Sequence, residues 1–160
     1  MAIEIEHKYL VDTALWRPAS AGTLYRQGYL SSAKERIVRV RVAGEQAFLT
    51  VKGITEGVSR LEFEYPIPLG DAVTMLERLC EQPLIEKTRY RETSAGRVWE
   101  IDVFHGDNDG LVIAEVEVAD AADEIVRPRW AKEEVSLDPR YFNNNLAVNP
   151  FKNWRSDSAM

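Results

Sequence analysis

The stretch Arg36-Ile37-Val38-Arg39-Val40-Arg41-Val42-Ala43 alternates arginine with aliphatic residues. Because successive side chains of a β-strand point to opposite faces, this alternation predicts a strand with one charged face and one apolar face. Short connections such as Ala43-Gly44-Glu45 favour antiparallel neighbours, since a parallel crossover needs about a dozen residues or more. The same alternation recurs along the chain and predicts eight strands, at residues 3–10, 23–31, 36–43, 46–52, 58–66, 84–92, 97–104 and 111–118.

Few helices are expected between these strands. The segment from Asp71 to Glu81 carries an apolar stripe, with Asp71 as its expected N-cap and Pro83 just beyond its end. We interpret Cys80, on that stripe, as a buried filler of the core rather than a nucleophile, because the sequence places neither histidine beside it. Shorter helices are expected at residues 12–17, 120–126 and 138–147.

The composition predicts a single globular domain over residues 1–160, with 45% hydrophobic and 29% charged residues. One cysteine excludes an internal disulfide and a cysteine-based zinc cluster, and the net charge of -6 disfavours a nucleic-acid partner. The longest aliphatic run, Leu111-Val112-Ile113-Ala114, is too short for a membrane helix, and the first residues lack the pattern of a secretory signal. We therefore expect a cytoplasmic protein without a membrane partner.

The charged faces of the expected strands are sorted by sign. Carboxylates cluster on the first, fifth, seventh and eighth strands, and bases cluster on the third, fourth and sixth. A solvated sheet face is the ordinary explanation for any one strand, but such a face normally mixes neutral polar residues with both signs of charge. The sorting favours a mainly β (α+β) fold: a closed eight-stranded antiparallel β-barrel tunnel with a charged lumen, flanked by a few short helices.

Such a lumen has one acidic wall and one basic wall, and each suggests a ligand. Clustered carboxylates without cysteine or paired histidines select hard divalent cations, Mg²⁺ or Mn²⁺. Clustered Arg and Lys side chains select a polyanion such as phosphate. A cation between carboxylates and phosphate oxygens is the arrangement used for phosphoryl transfer, so the expected ligand is a compact, highly charged phosphate compound.

Glu4-Ile5-Glu6-His7-Lys8 resembles the Glu-x-Glu-x-Lys motif that opens the CYTH domain, also called the triphosphate tunnel metalloenzyme family. The resemblance continues in order along essentially the whole chain. It covers Gln27-Gly28-Tyr29-Leu30, Arg39-Val40-Arg41, Thr50-Val51-Lys52, Arg60-Leu61-Glu62-Phe63-Glu64, Glu86-Lys87-Thr88-Arg89-Tyr90, Trp99-Glu100-Ile101-Asp102-Val103-Phe104, Ala114-Glu115-Val116-Glu117 and Tyr141-Phe142-Asn143-Asn144-Asn145-Leu146-Ala147.

The resemblance implies an eight-stranded tunnel that binds triphosphate with Mg²⁺ or Mn²⁺, and an activity like that of short bacterial inorganic triphosphatases, which are usually homodimers. The metal candidates that it implies are Glu4, Glu6, Glu62, Glu64, Asp102, Glu115 and Glu117. The phosphate-binding candidates are Lys8, Arg39, Arg41, Lys52, Arg60, Lys87 and Arg89.

Two catalytic candidates and the exact reaction stay open at this stage. Lys8 is expected to act as a general base or as a phosphate clamp, because a lysine among other bases can have a lowered pKa. Tyr29 is expected either to orient Lys8 or to be a packing aromatic. The alternatives to inorganic triphosphate are thiamine triphosphatase, nucleoside triphosphatase, long-chain polyphosphatase or adenylate cyclase chemistry on the same fold, or a non-catalytic polyphosphate-binding module.

A few residues fall outside this pattern. His7 alternates with the inward charged residues of the first strand, so it is expected to face outward, at the surface or an interface. His105 is expected to be exposed. Arg91 is expected beyond the lumen, and Glu100 is a weaker candidate ligand on the lumen face. Asp107-Asn108-Asp109-Gly110 lacks the spacing of a calcium loop and is expected to be a turn. The tail with Trp130, Phe151 and Trp154 is expected to pack on the barrel or on a partner.

Overall fold

The computed structural model describes residues 3–158, and side chains up to residue 154. Nine strands form: β1 Ile3–Val11, β2 Thr23–Ala33, β3 Arg36–Ala43, β4 Gln46–Lys52, β5 Ser59–Pro66, β6 Ile85–Ser94, β7 Arg97–Phe104, β8 Val112–Glu117 and β9 Ala131–Glu134. The helices are α1 Leu69–Arg78, α2 Asn143–Val148 and α3 Phe151–Ser158, with short 3-10 turns at Gly106–Asn108 and Pro139–Tyr141.

The first eight strands form a ring. The pairing order is β5-β4-β3-β2-β6-β7-β8-β1, and β1 pairs again with β5 through Ile3↔Leu61 and Glu4↔Arg60. Every pairing is antiparallel, so the expected eight antiparallel strands are confirmed. The ninth strand, β9, was missed because it is only four residues long and lacks alternation. It pairs with Tyr9 and Val11 of β1, beyond the residues of β1 that pair with β5.

The expected helices are only partly confirmed. Helix α1 begins at Leu69 with Pro68 at the N-cap, so Asp71 lies in the first turn and the expected cap is wrong. Residues 12–17 and 120–126 form turns and irregular backbone instead of helices. The segment 138–147 divides into a 3-10 turn and α2, and α3 was not expected. Within residues 3–158, no helix is long and apolar enough to span a membrane.

Two apolar clusters cover parts of the outside of the ring. Under α1, Leu76 packs with Val40 of β3, and Cys80 is buried in the same cluster, which confirms its expected role. Gly28 permits this approach, since a Cβ there would lie 2.6 Å from a methyl carbon of Leu84. The other cluster covers β1, β7 and β8 and contains Tyr9, Trp16, Trp99, Ile101, Ala114, Val116, Trp130 and Ala131.

A third cluster, here called the plug, fills one end of the ring. It combines inward-facing apolar residues of the strands with the C-terminal segment. Trp154 of α3 packs edge-on against Tyr141, so this part of the tail covers the ring itself. The buried members of the plug are Tyr29, Ile37, Ile85, Phe104, Leu111, Ile113, Val135, Tyr141, Leu146 and Trp154.

Candidate active site

The ring encloses a cavity of about 560 Å³ that is lined mostly by charged side chains. The pairing order sorts these charges by sign. The neighbours β7, β8, β1 and β5 form an acidic half, and the neighbours β4, β3, β2 and β6 form a basic half. The two expected walls are therefore present, and Lys8 and Arg60 are bases within the acidic half.

Lys8 lies between two carboxylates rather than among other bases. Its Nζ atom is 2.9 Å from Oε1 of Glu6 and 3.0 Å from Oε1 of Glu115. Burial by itself would lower the pKa of Lys8, but Glu115 and Glu6 outweigh burial and raise the pKa above its usual range. The expected lowering of the pKa is therefore wrong, because the strand register places Lys8 opposite Glu115.

The carboxylates of the acidic half crowd one another. Burial and the nearby Glu115 raise the pKa of Glu6 to about 8, against the pull of Lys8. Burial also acts to raise the pKa of Glu4, but Lys52 and other partners hold that pKa at about 2. The acidic half therefore mixes carboxyl groups whose pKa is lowered by nearby bases with groups whose pKa is raised by burial and neighbouring carboxylates.

One buried carboxylate holds two bases of β6. Asp102 is fully buried and accepts two hydrogen bonds from Arg89, at 2.7 and 2.8 Å, while Nζ of Lys87 lies 2.8 Å from its Oδ2. Burial would raise the pKa of Asp102, but Arg89 and Lys87 lower it. Asp102 is thus a counterion beneath the two bases, and the structure does not place it among the carboxylates that line the cavity.

Arg39 and Arg41 carry donors that are not fully satisfied by the described residues. Nη2 of Arg39 reaches Oγ1 of Thr50 at 3.2 Å, but its buried Nε has no partner among the described residues. Arg41 has no carboxylate within 4.0 Å in the part of the chain that the structure describes; its Nε donates to Gln27 at 2.9 Å. Burial, Arg39 and Arg89 lower the pKa of Arg41 to about 10.

Comparison with known families identifies this arrangement. The CYTH domain model matches residues 2–144. The chain belongs to the CYTH family. An inorganic triphosphatase of Acetivibrio thermocellus is 49% identical over 155 residues, which are 97% of this chain and 99% of that protein. An inorganic triphosphatase of Nitrosomonas europaea is 40% identical over 149 residues, which are 91% of this chain and 97% of that protein.

Solved structures agree with this CYTH assignment. The structure of the inorganic triphosphatase NE1496 has a TM-score of 0.65 and 35% identity, and covers 92% of this chain and 96% of its own. A Bacillus halodurans protein described as a candidate adenylate cyclase has a TM-score of 0.59 at 15% identity, and covers 76% of this chain and 84% of its own. The second likeness concerns the fold alone.

The other predicted phosphate ligands of this CYTH chain also line the cavity. Nζ of Lys52 lies 3.2 Å from Glu4 and 3.0 Å from Glu62, and Nε of Arg60 lies 3.6 Å from Glu4. Glu64 accepts a hydrogen bond of 2.9 Å from Thr50. The walls are therefore linked to each other by ion pairs across the β4, β5 and β1 strands.

Tyr29 lines the same cavity as Lys8, but no hydrogen bond joins the two side chains in the described part of the chain. Its ring belongs to the plug, and its hydroxyl accepts a hydrogen bond of 3.3 Å from Gln27. Burial raises the pKa of Tyr29, so the phenol stays neutral. The ring of Tyr29 therefore packs in the plug beside the cavity, and a catalytic role for its hydroxyl stays a prediction.

The remaining expectations have mixed outcomes. His7 faces outward, yet β9 covers it, and its Nδ1 lies 2.7 Å from Glu134. His105 was expected to be exposed, and this is wrong. It is partly buried, and its Nε2 lies 2.7 Å from Oγ1 of Thr88. Glu100 lines the cavity and pairs with Arg89 and with the largely exposed Arg91. The segment 107–110 is a turn, as expected.

The carboxylates of this CYTH chain fit a hard divalent cation by their chemistry. Six of the predicted ligands line the cavity as oxygen donors: Glu4, Glu6, Glu62, Glu64, Glu115 and Glu117. Burial and neighbouring carboxylates raise the pKa of Glu62 and Glu117, so added positive charge would be favourable here. Within residues 3–158 no three of them are already gathered as a ligand set, because Lys8 and Lys52 lie between them.

Sequence analysis missed uncharged side chains of this site, and three of them contact its bases or one another. Gln27, Tyr25 and Asn143 all line or adjoin the cavity next to the basic half. Each is uncharged, so a search for sorted charge does not select it. Tyr25 and Gln27 are two residues apart on β2, so their side chains share the face that points into the lumen. This spacing was the signal that could have indicated both residues.

Proposed function

We propose that this protein hydrolyses inorganic triphosphate to diphosphate and phosphate inside the ring, with Mg²⁺ or Mn²⁺. The observation that carries the proposal is a small cavity, closed at one end, whose basic half faces a crowded acidic half. The basic half holds Arg41, which has no carboxylate partner among the described residues. A substrate that is nearly all phosphate suits such a lumen better than one with a large organic group. The CYTH relatives that are inorganic triphosphatases support the same choice.

The basic side chains bind the substrate in this proposal. Arg39 and Arg41 offer guanidinium donors that are not fully satisfied within the protein, and such donors match phosphate oxygens in geometry and charge. Because they are fixed before the substrate arrives, they stabilise charge that develops on the phosphate oxygens without reorganisation. The proposed phosphate ligands are Lys8, Arg39, Arg41, Lys52, Arg60, Lys87 and Arg89.

The carboxylates hold the cation. Glu4, Glu6, Glu62, Glu64, Glu115 and Glu117 are the proposed ligands, and Asp102 is left out because both of its oxygens already accept from Arg89. When bound, the cation supplies Lewis-acid stabilisation of the phosphate oxygens and lowers the pKa of water. In the hydrolysis itself, a water oxygen bonds to a terminal phosphorus, the bridging P–O bond breaks, diphosphate leaves, and the proton of the water passes to solvent.

Lys8 acts as a cation rather than a base in this proposal. Two carboxylates within 3.0 Å keep its amine protonated. An ammonium group at this position can bind phosphate oxygens and also separate Glu6 from Glu115 when no substrate is present. Tyr29 has a packing role and takes no direct part.

The test is phosphate release by the purified protein from triphosphate, diphosphate, ATP, thiamine triphosphate and long-chain polyphosphate, each with Mg²⁺, Mn²⁺ or EDTA. We expect metal-dependent release from triphosphate and little from the others. Preference for an organic triphosphate would retain the site but change the substrate. Tight triphosphate binding without release from any compound would overturn the enzyme and leave a polyphosphate-binding module.

We propose further that the chain forms a homodimer in the cytoplasm. Apolar side chains on the outer faces of β1 and β5 are exposed: Ile3 is 45%, Leu61 46%, Phe63 42% and Tyr65 56% exposed. They adjoin one another through the Ile3↔Leu61 pairing and successive outward positions of β5, so they form one patch. Sedimentation should give a dimer that Phe63→Asp dissociates. Val98→Asp, at a 54% exposed residue of β7, should leave the dimer intact, and a monomeric native protein would overturn this proposal.

A further inference from the structure

Two amides lie where the charged lumen meets the plug. Gln27 on β2 is fully buried, and Asn143 begins α2. Oε1 of Gln27 accepts from Nε of Arg41 at 2.9 Å, and Oδ1 of Asn143 accepts from Nζ of Lys87 at 2.9 Å. Nε2 of Gln27 also donates to Oδ1 of Asn143 at 3.2 Å, so the four side chains form one continuous chain.

The chemistry of the partners fixes the orientation of both amides. Guanidinium and ammonium groups only donate hydrogen bonds, so each amide must present its oxygen to its base. The NH₂ group of Gln27 is then left to donate to Asn143 and to the hydroxyl of Tyr29. Each end of the chain of contacts is therefore a base that meets a neutral amide oxygen, and Lys87 contacts the carboxylate of Asp102 as well.

This way of holding a base differs from the rest of the lumen. Arg89 is held by Asp102 with two charge-assisted hydrogen bonds, so much of its charge is already balanced within the protein. Within the described part of the chain, the guanidinium of Arg41 contacts the amide of Gln27 and the ring of Tyr25, whose centroid lies 4.8 Å from Cζ of Arg41, and no carboxylate. Both partners are neutral, so they fix the guanidinium while its charge remains available.

We propose that Gln27 and Asn143 are positioning residues that hold Arg41 and Lys87 toward the lumen through neutral oxygens, so that the charge of Arg41 is kept for the substrate. The proposal deepens the proposed triphosphatase function and rests on it. Helix α2 then has two roles: it packs Leu146 into the plug, and it places Asn143 next to the basic half.

The decisive variants change the charge and the hydrogen bonds of Gln27 separately. Gln27→Glu places a carboxylate on Arg41, and we expect the KM for triphosphate to rise at least about tenfold, with a smaller change in kcat. Gln27→Met keeps the length without hydrogen bonds and should raise KM by about three- to tenfold. The matched control is Gln82→Met, because Gln82 donates to the backbone oxygen of Leu76 outside the lumen, and its KM should stay within about twofold of wild type.

Asn143 provides an independent arm if Gln27→Glu does not fold. Asn143→Asp should also raise KM, because it adds a second carboxylate to Lys87, which already contacts Asp102. The double variant Gln27→Met with Asn143→Ala should raise KM by less than the product of the two single effects, since the two residues share a hydrogen bond.

Calorimetric titration of inorganic triphosphate into each protein in EDTA separates this proposal from the proposed function. Wild-type binding that weakens in Gln27→Glu supports the positioning role without any turnover. If wild type hydrolyses triphosphate and the Gln27 and Asn143 variants keep its KM and affinity, the positioning role alone is overturned, even where their thermal midpoints fall. If wild type neither binds nor hydrolyses triphosphate, the proposed function and this inference are both overturned.

Discussion

The charged lumen and the apolar plug are built on the inward faces of the same strands, yet they obey opposite rules. On β3 the inward face passes from Arg41 and Arg39 to Ile37, and on β6 it passes from Arg89 through Lys87 to Ile85. Each change from charge to hydrocarbon takes two residues, about 7 Å along a strand. The inward-facing strand positions are alike in backbone geometry at both ends of the ring. Whether a position holds a charged or an apolar side chain depends on what surrounds it.

The two ends differ in what fills the space. At one end the C-terminal segment packs Tyr141, Leu146 and Trp154 into the ring, so apolar inward residues lose contact with water. At the other end the space stays open, and most of its charged side chains form ion pairs with one another. A substrate would enter, and products would leave, by the end that the plug does not close.

The largest expected effect comes from the acidic half. Replacing Glu4→Gln together with Glu6→Gln removes two proposed metal ligands, and turnover should fall on the order of 10³-fold or more while triphosphate binding persists. Phosphate release and calorimetric binding, with circular dichroism as a check on folding, make the test. Glu56→Gln, on an exposed turn, is the control. Retained turnover in the double variant would remove the cation from the proposed mechanism.

Asp102→Asn should be the next largest change, now in stability. It leaves Arg89 and Lys87 without the carboxylate that balances them in a buried site, and the free energy of unfolding should fall by about 3–5 kcal/mol. Urea denaturation measures it. Asp107→Asn breaks the exposed pair with Lys152 and should cost about 1 kcal/mol or less. Equal effects in both variants would contradict the counterion role of Asp102.

A variant of the plug should affect stability and leave the lumen alone. Leu111→Ala opens a cavity at a residue that is 3% exposed, and the free energy of unfolding should fall by about 2–5 kcal/mol. The KM for triphosphate should stay within about twofold of wild type, measured well below the unfolding temperature. Leu137→Ala, at a 72% exposed residue, should change neither quantity. A raised KM in Leu111→Ala alone would mean that the plug and lumen are not separable.

The smallest expected effect is that of Tyr29→Phe. It removes one neutral hydrogen bond with Gln27 and keeps the ring in the plug, so the free energy of unfolding should fall by about 0.5–1.5 kcal/mol. The kcat should change by less than about threefold in the phosphate-release assay. A loss of about a hundredfold in kcat would show that the phenol contacts the reacting groups, against the packing role given to it here.

Most of the ring could be predicted from the chain, because a strand with two different faces leaves a period of two in the sequence. The residues of the two walls followed from that parity, and Glu100 was found on the lumen face for the same reason. The boundary of the lumen was also present in the sequence, since Ile37, Ile85 and Ile113 are apolar at lumen parity. These apolar residues did not predict the plug, because no pattern of neighbouring residues shows that a distant C-terminal segment fills that end of the ring.

By itself, the sequence determined the strands, their two faces, the sorted charges and the motifs of the CYTH family. Only the tertiary structure decided which strands are neighbours, and hence that the two signs of charge occupy opposite halves of one ring. It also decided that Lys8 lies between Glu6 and Glu115 and that Asp102 lies beneath Arg89. The reason is physical: periodicity is a property of consecutive residues, whereas a pKa or an ion pair depends on groups that are distant in sequence and close in space.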